Sequence, residues 1–162
     1  MQEQQLGTGH AVKCAASVIN RPFLLLYGDD IYGATGLQKL VQREWALLAR
    51  RVEHPERFGV LKLNEDGTVS DMVEKPKEFI GNLINAGLYK FTPEVFDKIN
   101  EIKKSPRGEY EITDVISLLA KDKKAKIKKI KDYWHDFGNP EDIQKLTKFI
   151  KDGYCKKPKL IK

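Results

Sequence analysis

Between Leu24 and Gly33 the chain reads Leu-Leu-Leu-Tyr-Gly-Asp-Asp-Ile-Tyr-Gly, an apolar run that breaks at once into a glycine and two carboxylates. A short continuous apolar run bounded by turn residues predicts a strand covered on both faces, as in sheets that carry helices on either side. In such sheets ligands collect beyond the carboxyl ends of the strands. The residues after Tyr27 are therefore expected at a site. Gly28 permits a tight turn or the close approach of a ligand, and Asp29 and Asp30 offer the oxygen donors that hard cations such as Mg2+ prefer. Asp29 is the first candidate for chemistry; the competing reading is an ordinary Gly-Asp turn at a strand end.

The flanking segments supply the rest of an α/β pattern. Gly7-Thr8-Gly9 precedes an Ala-rich stretch from Ala11 to Val18, expected to be a helix whose first N–H groups could hold a nucleotide; a turn capped by Thr8 accounts for the same residues. Gly36–Gln42 reads as a short helix. Trp45–Val52 fits helix or strand and is taken as a strand ending before Glu53-His54-Pro55. Two alternating runs, Phe58–Leu63 and Thr68–Glu74, flank an Asp66-Gly67 turn and predict a hairpin, which Lys75-Pro76 stops so that Glu74 and Lys75 lie at its mouth. Leu83–Phe91 is a strand with Gly87 inside it, and Thr92-Pro93 should open a helix at its first position. Tyr110–Leu119 repeats apolar residues at helical spacing, Tyr133–Asp136 is a strand, and Gly138-Asn139-Pro140 turns into a last helix. The alternation indicates a Rossmann-like mixed sheet flanked by helices, in one α/β domain over residues 1–152 followed by a basic tail, 153–162.

Composition narrows the setting. With 41% hydrophobic and 32% charged residues among 162, the chain has the make-up of a globular protein. No apolar run approaches the roughly 20 residues that span a bilayer, and the polar N-terminus lacks the features of a signal peptide, so the cytoplasm is expected. Cys14 and Cys155 form no C-x-x-C and read as reduced thiols. The net charge of +6 gathers in Lys121–Lys131 and Lys156–Lys159. Such runs raise nucleic acid as a partner. The first run, however, carries few aromatics for stacking and almost no Arg for bidentate contacts, so an edge strand guarded by lysines is the better reading.

Seven short motifs stand in one order: Gln2 to Ala11 with its Gly7-Thr8-Gly9, Leu26-Tyr27-Gly28-Asp29, Phe58-Gly59-Val60, Glu74-Lys75-Pro76, Asn85-Ala86-Gly87, Glu109-Tyr110 with Thr113-Asp114, and Trp134, Asp136, Gly138, Pro140. Together they resemble the sugar-1-phosphate nucleotidyltransferases over nearly the whole chain. The resemblance implies that a nucleoside triphosphate is joined to a sugar 1-phosphate, giving a nucleotide-sugar and pyrophosphate, with Mg2+ between Asp29 and Asp136. It implies substrate contacts from Gln2, Gly7 and Thr8 at the base, and from Tyr27, Gly59, Glu74, Asn85, Gly87 and Thr113 elsewhere, with Lys75 on the sugar phosphate. Glu74 suits two sugar hydroxyls because a carboxylate only accepts, and Lys75 suits a phosphate as a point charge. Gln-Leu-Gly-Thr-Gly-His-Ala is similar to the loop of the uridylyltransferase branch, so UTP is the expected triphosphate.

Family members open with a strand and a glycine-rich loop, bearing an Arg and further on a Lys, that cradles the triphosphate; this sequence starts at Met1, directly before the base-reading segment. The resemblance thus implies a fold incomplete at its N-terminus, with half of the nucleotide site supplied by a second polypeptide or lost in a fragment, and a homo-oligomer as one way to cover the open edge. Impaired turnover is the corresponding expectation. The alternative is a non-catalytic nucleotide-sugar-binding or interaction module that keeps the sugar half.

Overall fold

A computed structural model describes residues 2–153; Cys155 and the basic tail from residue 154 on lie outside them. In chain order the elements are α1 (Thr8–Lys13), β1 (Phe23–Leu26), β2 (Ile31–Tyr32), α2 (Ala34–Val41), β3 (Ala46–Arg51), a 3-10 turn (Pro55–Arg57), β4 (Gly59–Leu63), β5 (Val69–Glu74), β6 (Leu83–Phe91), α3 (Val95–Glu101), α4 (Ile112–Lys121), β7 (Lys126–Lys129), β8 (Trp134–His135) and α5 (Asp142–Lys151). Six strands form one mixed sheet in the order β5-β4-β6-β3-β7, with β1 on β6, and β2 pairs with β8 apart from it. The β3–β7 pair is parallel, whereas β1, β3 and β4 run antiparallel to β6.

Side-chain alternation along β6 and β3 builds two cores, one on each face of the sheet. Leu83, Tyr89 and Phe91 with Leu47 and Ala49 meet Val12 of α1, Val95 and Ile99 of α3, and Ile112, Val115, Ile116 and Leu119 of α4. Ile84, Ala86 and Leu88 with Ala46 and Leu48 meet Leu40 of α2 and Trp134 of β8. Successive strand residues point to opposite faces, so the stretches buried on both sides, residues 46–49 of β3 and 83–89 of β6, are apolar but for Asn85.

That property belongs to β6 and β3, not to β1. The Leu24–Leu26 strand is half-exposed, Leu26 is 44% accessible, and among the described residues β1 pairs with β6 alone. The expectation of a doubly covered central strand is therefore corrected. Continuity of apolar residues does not distinguish a middle strand from one whose second edge is open.

Other expectations shift at their boundaries. The Ala-rich segment is helical only to Lys13, after which Ala15, Ala16 and Val18 donate to carbonyls three residues back, at 3.0–3.1 Å, in successive tight turns. Thr8 does not cap its own helix; its Oγ1 accepts from the Ile112 N–H at 3.0 Å and so caps α4. The helix after Pro93 begins at Val95, following turns closed by Val95 N–H to the Thr92 carbonyl and Phe96 N–H to the Pro93 carbonyl. The hairpin forms as β4–β5 around Asp66-Gly67, and the lysine-rich strand is β7, at the margin of the sheet. Cys14 is an exposed free thiol. No helix among the described residues is long and apolar enough to cross a membrane.

Candidate active site

Beyond β1 and beside β6 lies a cleft of about 1040 Å³. Its shape follows from how β6 is paired. On one side β6 pairs with β3 along most of its length; on the other, β1 covers residues 88–91 and β4 pairs only at Ile84. Between them the chain turns through Gly87, whose φ of +67° is unfavourable for a residue with a Cβ. A Cβ there would lie 2.3 Å from the Tyr27 ring. The Gly87 carbonyl accepts from the Tyr27 N–H at 3.1 Å, and its N–H donates to Asn85 Oδ1 at 3.2 Å. Both backbone groups of Gly87 are thus engaged within the protein, and its missing side chain makes room for Tyr27. Asn85 donates to the Tyr89 hydroxyl at 2.5 Å, and the Tyr89 and Tyr27 hydroxyls are 3.3 Å apart. Burial pushes the Tyr27 phenol up to about 12, so it stays neutral.

At one end of the cleft stand carboxylates. Asp29, Asp30 and Asp136 all line it. Asp30 Oδ2 accepts from the Tyr32 hydroxyl at 2.8 Å and from Trp134 Nε1 at 3.0 Å, tying the Asp29 turn to the strand that leads to Asp136. Burial pushes the Asp30 carboxyl up to about 6, and the charges of Asp29 and Asp136 add to the effect. Asp136 Oδ2 lies 3.9 Å from Arg57 Nη2. Gly28 lines the same end, and a Cβ on it would meet nothing within 4 Å, so it leaves space without being needed for the turn. No group of three or more His, Cys, Asp or Glu among the described residues forms a metal cage. A pair of carboxylates still suits Mg2+, which keeps several waters and is commonly held by one or two carboxylates plus substrate phosphates.

The other end is built by the β4–β5 hairpin and α4. Glu74 faces Gly59 across the ladder, and a Cβ on Gly59 would lie 3.2 Å from Glu74 Oε2, so glycine leaves the carboxylate its place. Burial raises the Glu74 carboxyl, only partly opposed by the positive charge of Arg107. Lys75 has φ +42° and donates its N–H to the Phe58 carbonyl at 3.0 Å. A lysine held in the left-handed region, before a proline that favours extended backbone, is strained, and such strain gathers at functional positions. Thr113 is 5% exposed and its Oγ1 has no hydrogen-bond partner, although the residue lines the cleft.

Of the residues singled out from the sequence, Asp29, Asp136, Lys75, Thr8, Tyr27, Gly59, Glu74, Asn85, Gly87 and Thr113 line this one cleft. Gln2 and Gly7 are not part of its lining. Gln2 Nε2 lies 3.0 Å from His10 Nδ1, and Gly7 packs so closely on the start of α4 that a Cβ would be 2.7 Å from the Tyr110 carbonyl oxygen. Arg57, Arg107 and Glu111 also line the cleft and carry no periodic or motif signal that assigns them a role in advance; Glu109, which lines it too, stood in a motif without an assigned role. Asp30 was visible beside Asp29, but its bonds to Tyr32 and Trp134 were not.

Comparison with known proteins places this geometry. Residues 1–153 match the Nucleotidyl transferase family. The chain is 39% identical over 146 residues to the bifunctional protein GlmU of Methanocaldococcus jannaschii, covering 90% of this chain and 36% of that protein. It is 36% identical over 149 residues to the bifunctional sugar-1-phosphate nucleotidylyltransferase/acetyltransferase of Sulfurisphaera tokodaii, covering 91% and 37%. A UDP-glucose pyrophosphorylase solved with UDP-glucose shares the fold at a TM-score of 0.79 and 29% identity, covering 93% of this chain and 64% of that one. The chain thus spans a little over a third of the length of these curated relatives. A match that runs from the first residue to the end of the last helix, on a mixed sheet with the same architecture, leads to one conclusion: the chain belongs to the nucleotidyl transferase family.

Proposed function

We propose that the cleft joins a nucleoside triphosphate, with UTP preferred, to a sugar 1-phosphate and releases pyrophosphate, acting in the cytoplasm. The observation that carries this reading is the placement of Glu74, Lys75, Asn85 and Thr113 in the same cleft as Asp29 and Asp136, so that hydroxyl-binding groups, a phosphate-binding cation and a carboxylate pair share one space. Glu74 would accept from sugar hydroxyls, and the unpartnered Thr113 hydroxyl would exchange a hydrogen bond with the same ligand. Lys75 would hold the sugar phosphate. Thr8, on the cleft wall, marks the side where the base would lie, and the preference for uridine rests on the sequence of its loop.

The charge of the cleft supports a divalent cation. Asp29, Asp30, Glu56, Glu74, Glu109, Glu111 and Asp136 line it, against Arg57, Lys75 and Arg107. A triphosphate entering such a space meets a net negative wall. Asp29 and Asp136 would hold Mg2+, which supplies charge neutralisation at the phosphates and orients them. The protein's own part is positioning: Asp30, through Trp134 and Tyr32, keeps the two metal-holding segments together, while Lys75 would hold the phosphate and Glu74 the hydroxyls of the sugar 1-phosphate for in-line attack. No protein nucleophile is required.

Pyrophosphate release with UTP or dTTP against a panel of sugar 1-phosphates, with and without Mg2+, tests the reaction. Thermal shifts with UDP-, dTDP- and GDP-sugars test the base, and a clear guanine preference would overturn the choice of uridine. Mg2+-dependent release that is lost in Asp29→Asn and Asp136→Asn is the expected result. Nucleotide-sugar binding without release would instead make this a binding module, and no binding of any nucleotide-sugar would remove the assignment.

A further inference from the structure

Two short strands stand apart from the main sheet and lead into both carboxylates of the proposed metal site. β2 and β8 pair at Ile31 with His135 and at Tyr32 with Trp134, and Asp29 and Asp136 both lie just beyond the same end of this ladder. An isolated two-stranded ladder is marginal by itself, so its geometry depends on what holds its ends. At the carboxylate end the hold is Asp30, through Tyr32 and Trp134. At the opposite end it is Asp132. The Gly33 N–H donates to the Tyr133 carbonyl at 2.9 Å, and the Thr35 N–H donates to Asp132 Oδ2 at 2.9 Å. The second bond caps α2 from a distant part of the chain, where Gly33 at the N-cap has no side chain to offer. α2 carries the fully buried Leu40 into the core, so the segment just before β8 is anchored to the body of the protein.

Gly33 is fitted to that carboxylate. Its φ of −70° and ψ of 143° suit any residue, so the backbone does not call for glycine. A Cβ there would lie 2.1 Å from Asp132 Oδ2 and 2.2 Å from its Cγ. The space left by the missing side chain is the space the carboxylate fills. Asp132 Oδ1 is buried without a hydrogen-bond partner among the described residues, so this carboxylate is kept at a desolvation cost. Asp132 does not line the cleft. We infer that it is a positioning residue: seated between Gly33 and the start of α2, it sets the spacing of Asp29 and Asp136 and thereby the affinity for a divalent cation. The inference rests on the assignment above of the cation to that pair.

The test is Mn2+ titration read by electron paramagnetic resonance, on variants shown to be folded by circular dichroism. Asp132→Ala should weaken Mn2+ binding by roughly fivefold or more, whereas Asp132→Asn, which keeps an acceptor for the Thr35 N–H, should stay within about twofold of the unaltered chain. Gly33→Ala should weaken it at least as much as Asp132→Ala, since its methyl displaces the carboxylate. Adding Gly33→Ala to Asp132→Ala should cost no more than about twofold further, because the three atoms nearest that methyl all belong to Asp132. Leu119→Ala lowers stability in the core on the other face of the sheet and should leave Mn2+ affinity within about twofold. Unchanged affinity in Asp132→Ala, an equal loss in Asp132→Asn or in Leu119→Ala, or additive losses in the double variant would each overturn the inference. If the unaltered chain binds no Mn2+, or binds it equally well after Asp29→Asn and Asp136→Asn, the cation assignment itself fails and the inference with it.

Discussion

Replacing Gly87 by alanine probes the joint between fold and cleft. Its φ of +67° puts any L-residue in the left-handed region, at roughly 1–2 kcal/mol. The new methyl would sit 2.3, 2.8 and 2.9 Å from three atoms of the Tyr27 ring, which cannot retreat freely because its own N–H is bonded to the Gly87 carbonyl and its hydroxyl meets Tyr89. Overpacking of this kind costs about 1–3 kcal/mol. The lost freedom of the unfolded chain returns roughly 0.4–1 kcal/mol. The net expectation, combining these ranges, is a loss of about 1–4.6 kcal/mol, against a total stability on the order of 5–15 kcal/mol. Urea unfolding should show a lowered midpoint at unchanged slope. The two contributions separate in a cycle: in a Tyr27→Ala background the clash is gone and only the backbone cost of roughly 1–2 kcal/mol, less the same unfolded-chain return of about 0.4–1 kcal/mol, remains. A loss under about 0.5 kcal/mol, or an equal loss in both backgrounds, would refute the reasoning that Gly87 exists to seat Tyr27.

Glu74 is raised by burial, so the folded state holds its proton more tightly than the unfolded one; its contribution is fully present below the ordinary value of 4.5 and is lost as pH rises through the raised one. Glu74→Gln should therefore flatten the fall in urea midpoint above pH 4.5 and abolish nucleotide-sugar thermal shifts; a parallel pH profile would show that Glu74 does not carry it. Asp142 Oδ2 accepts from the N–H groups of Gly138 and Asn139 at 3.2 and 3.0 Å; burial pushes its carboxyl up, but these bonds and Lys145 outweigh it and hold it below the usual range. Its support is present above the unfolded value and lost as pH falls through the lowered one, so Asp142→Ala should cost about 1 kcal/mol at neutral pH, vanishing in acid, as read by urea unfolding. Asp30→Leu leaves the buried Trp134 N–H without its acceptor and should cost roughly 2–4 kcal/mol and weaken Mn2+ binding by electron paramagnetic resonance, whereas Asp30→Asn, which keeps an acceptor oxygen, should recover most of both; equal losses in the two variants would show that the hydrogen bonds are not what matters.

What the sequence determined by itself was local. The Asp66-Gly67 hairpin, the amphipathic run of α4, the apolar length of β6 and the lysines on β7 are set by side-chain period and turn chemistry within a few residues, and they form where that chemistry says. The carboxylates after β1 and the Glu74-Lys75 pair were legible for the same reason, as strand ends stopped by Gly-Asp and Lys-Pro. Tertiary structure alone decided which apolar strand is central. Leu24–Leu26 is the more uniformly apolar stretch, yet of the two strands only β6, which carries Asn85 and Lys90, has strands on both sides, because burial depends on neighbours contributed by distant segments. It also decided the site's finer chemistry: Thr8 caps a helix that begins 104 residues later, Trp134 reaches Asp30 across the same separation, and Gly87 yields its space to Tyr27. Periodicity records which face a side chain presents, whereas a hydrogen bond needs the partner's position to within a few tenths of an ångström, and that is set only when the sheet and its helices have packed.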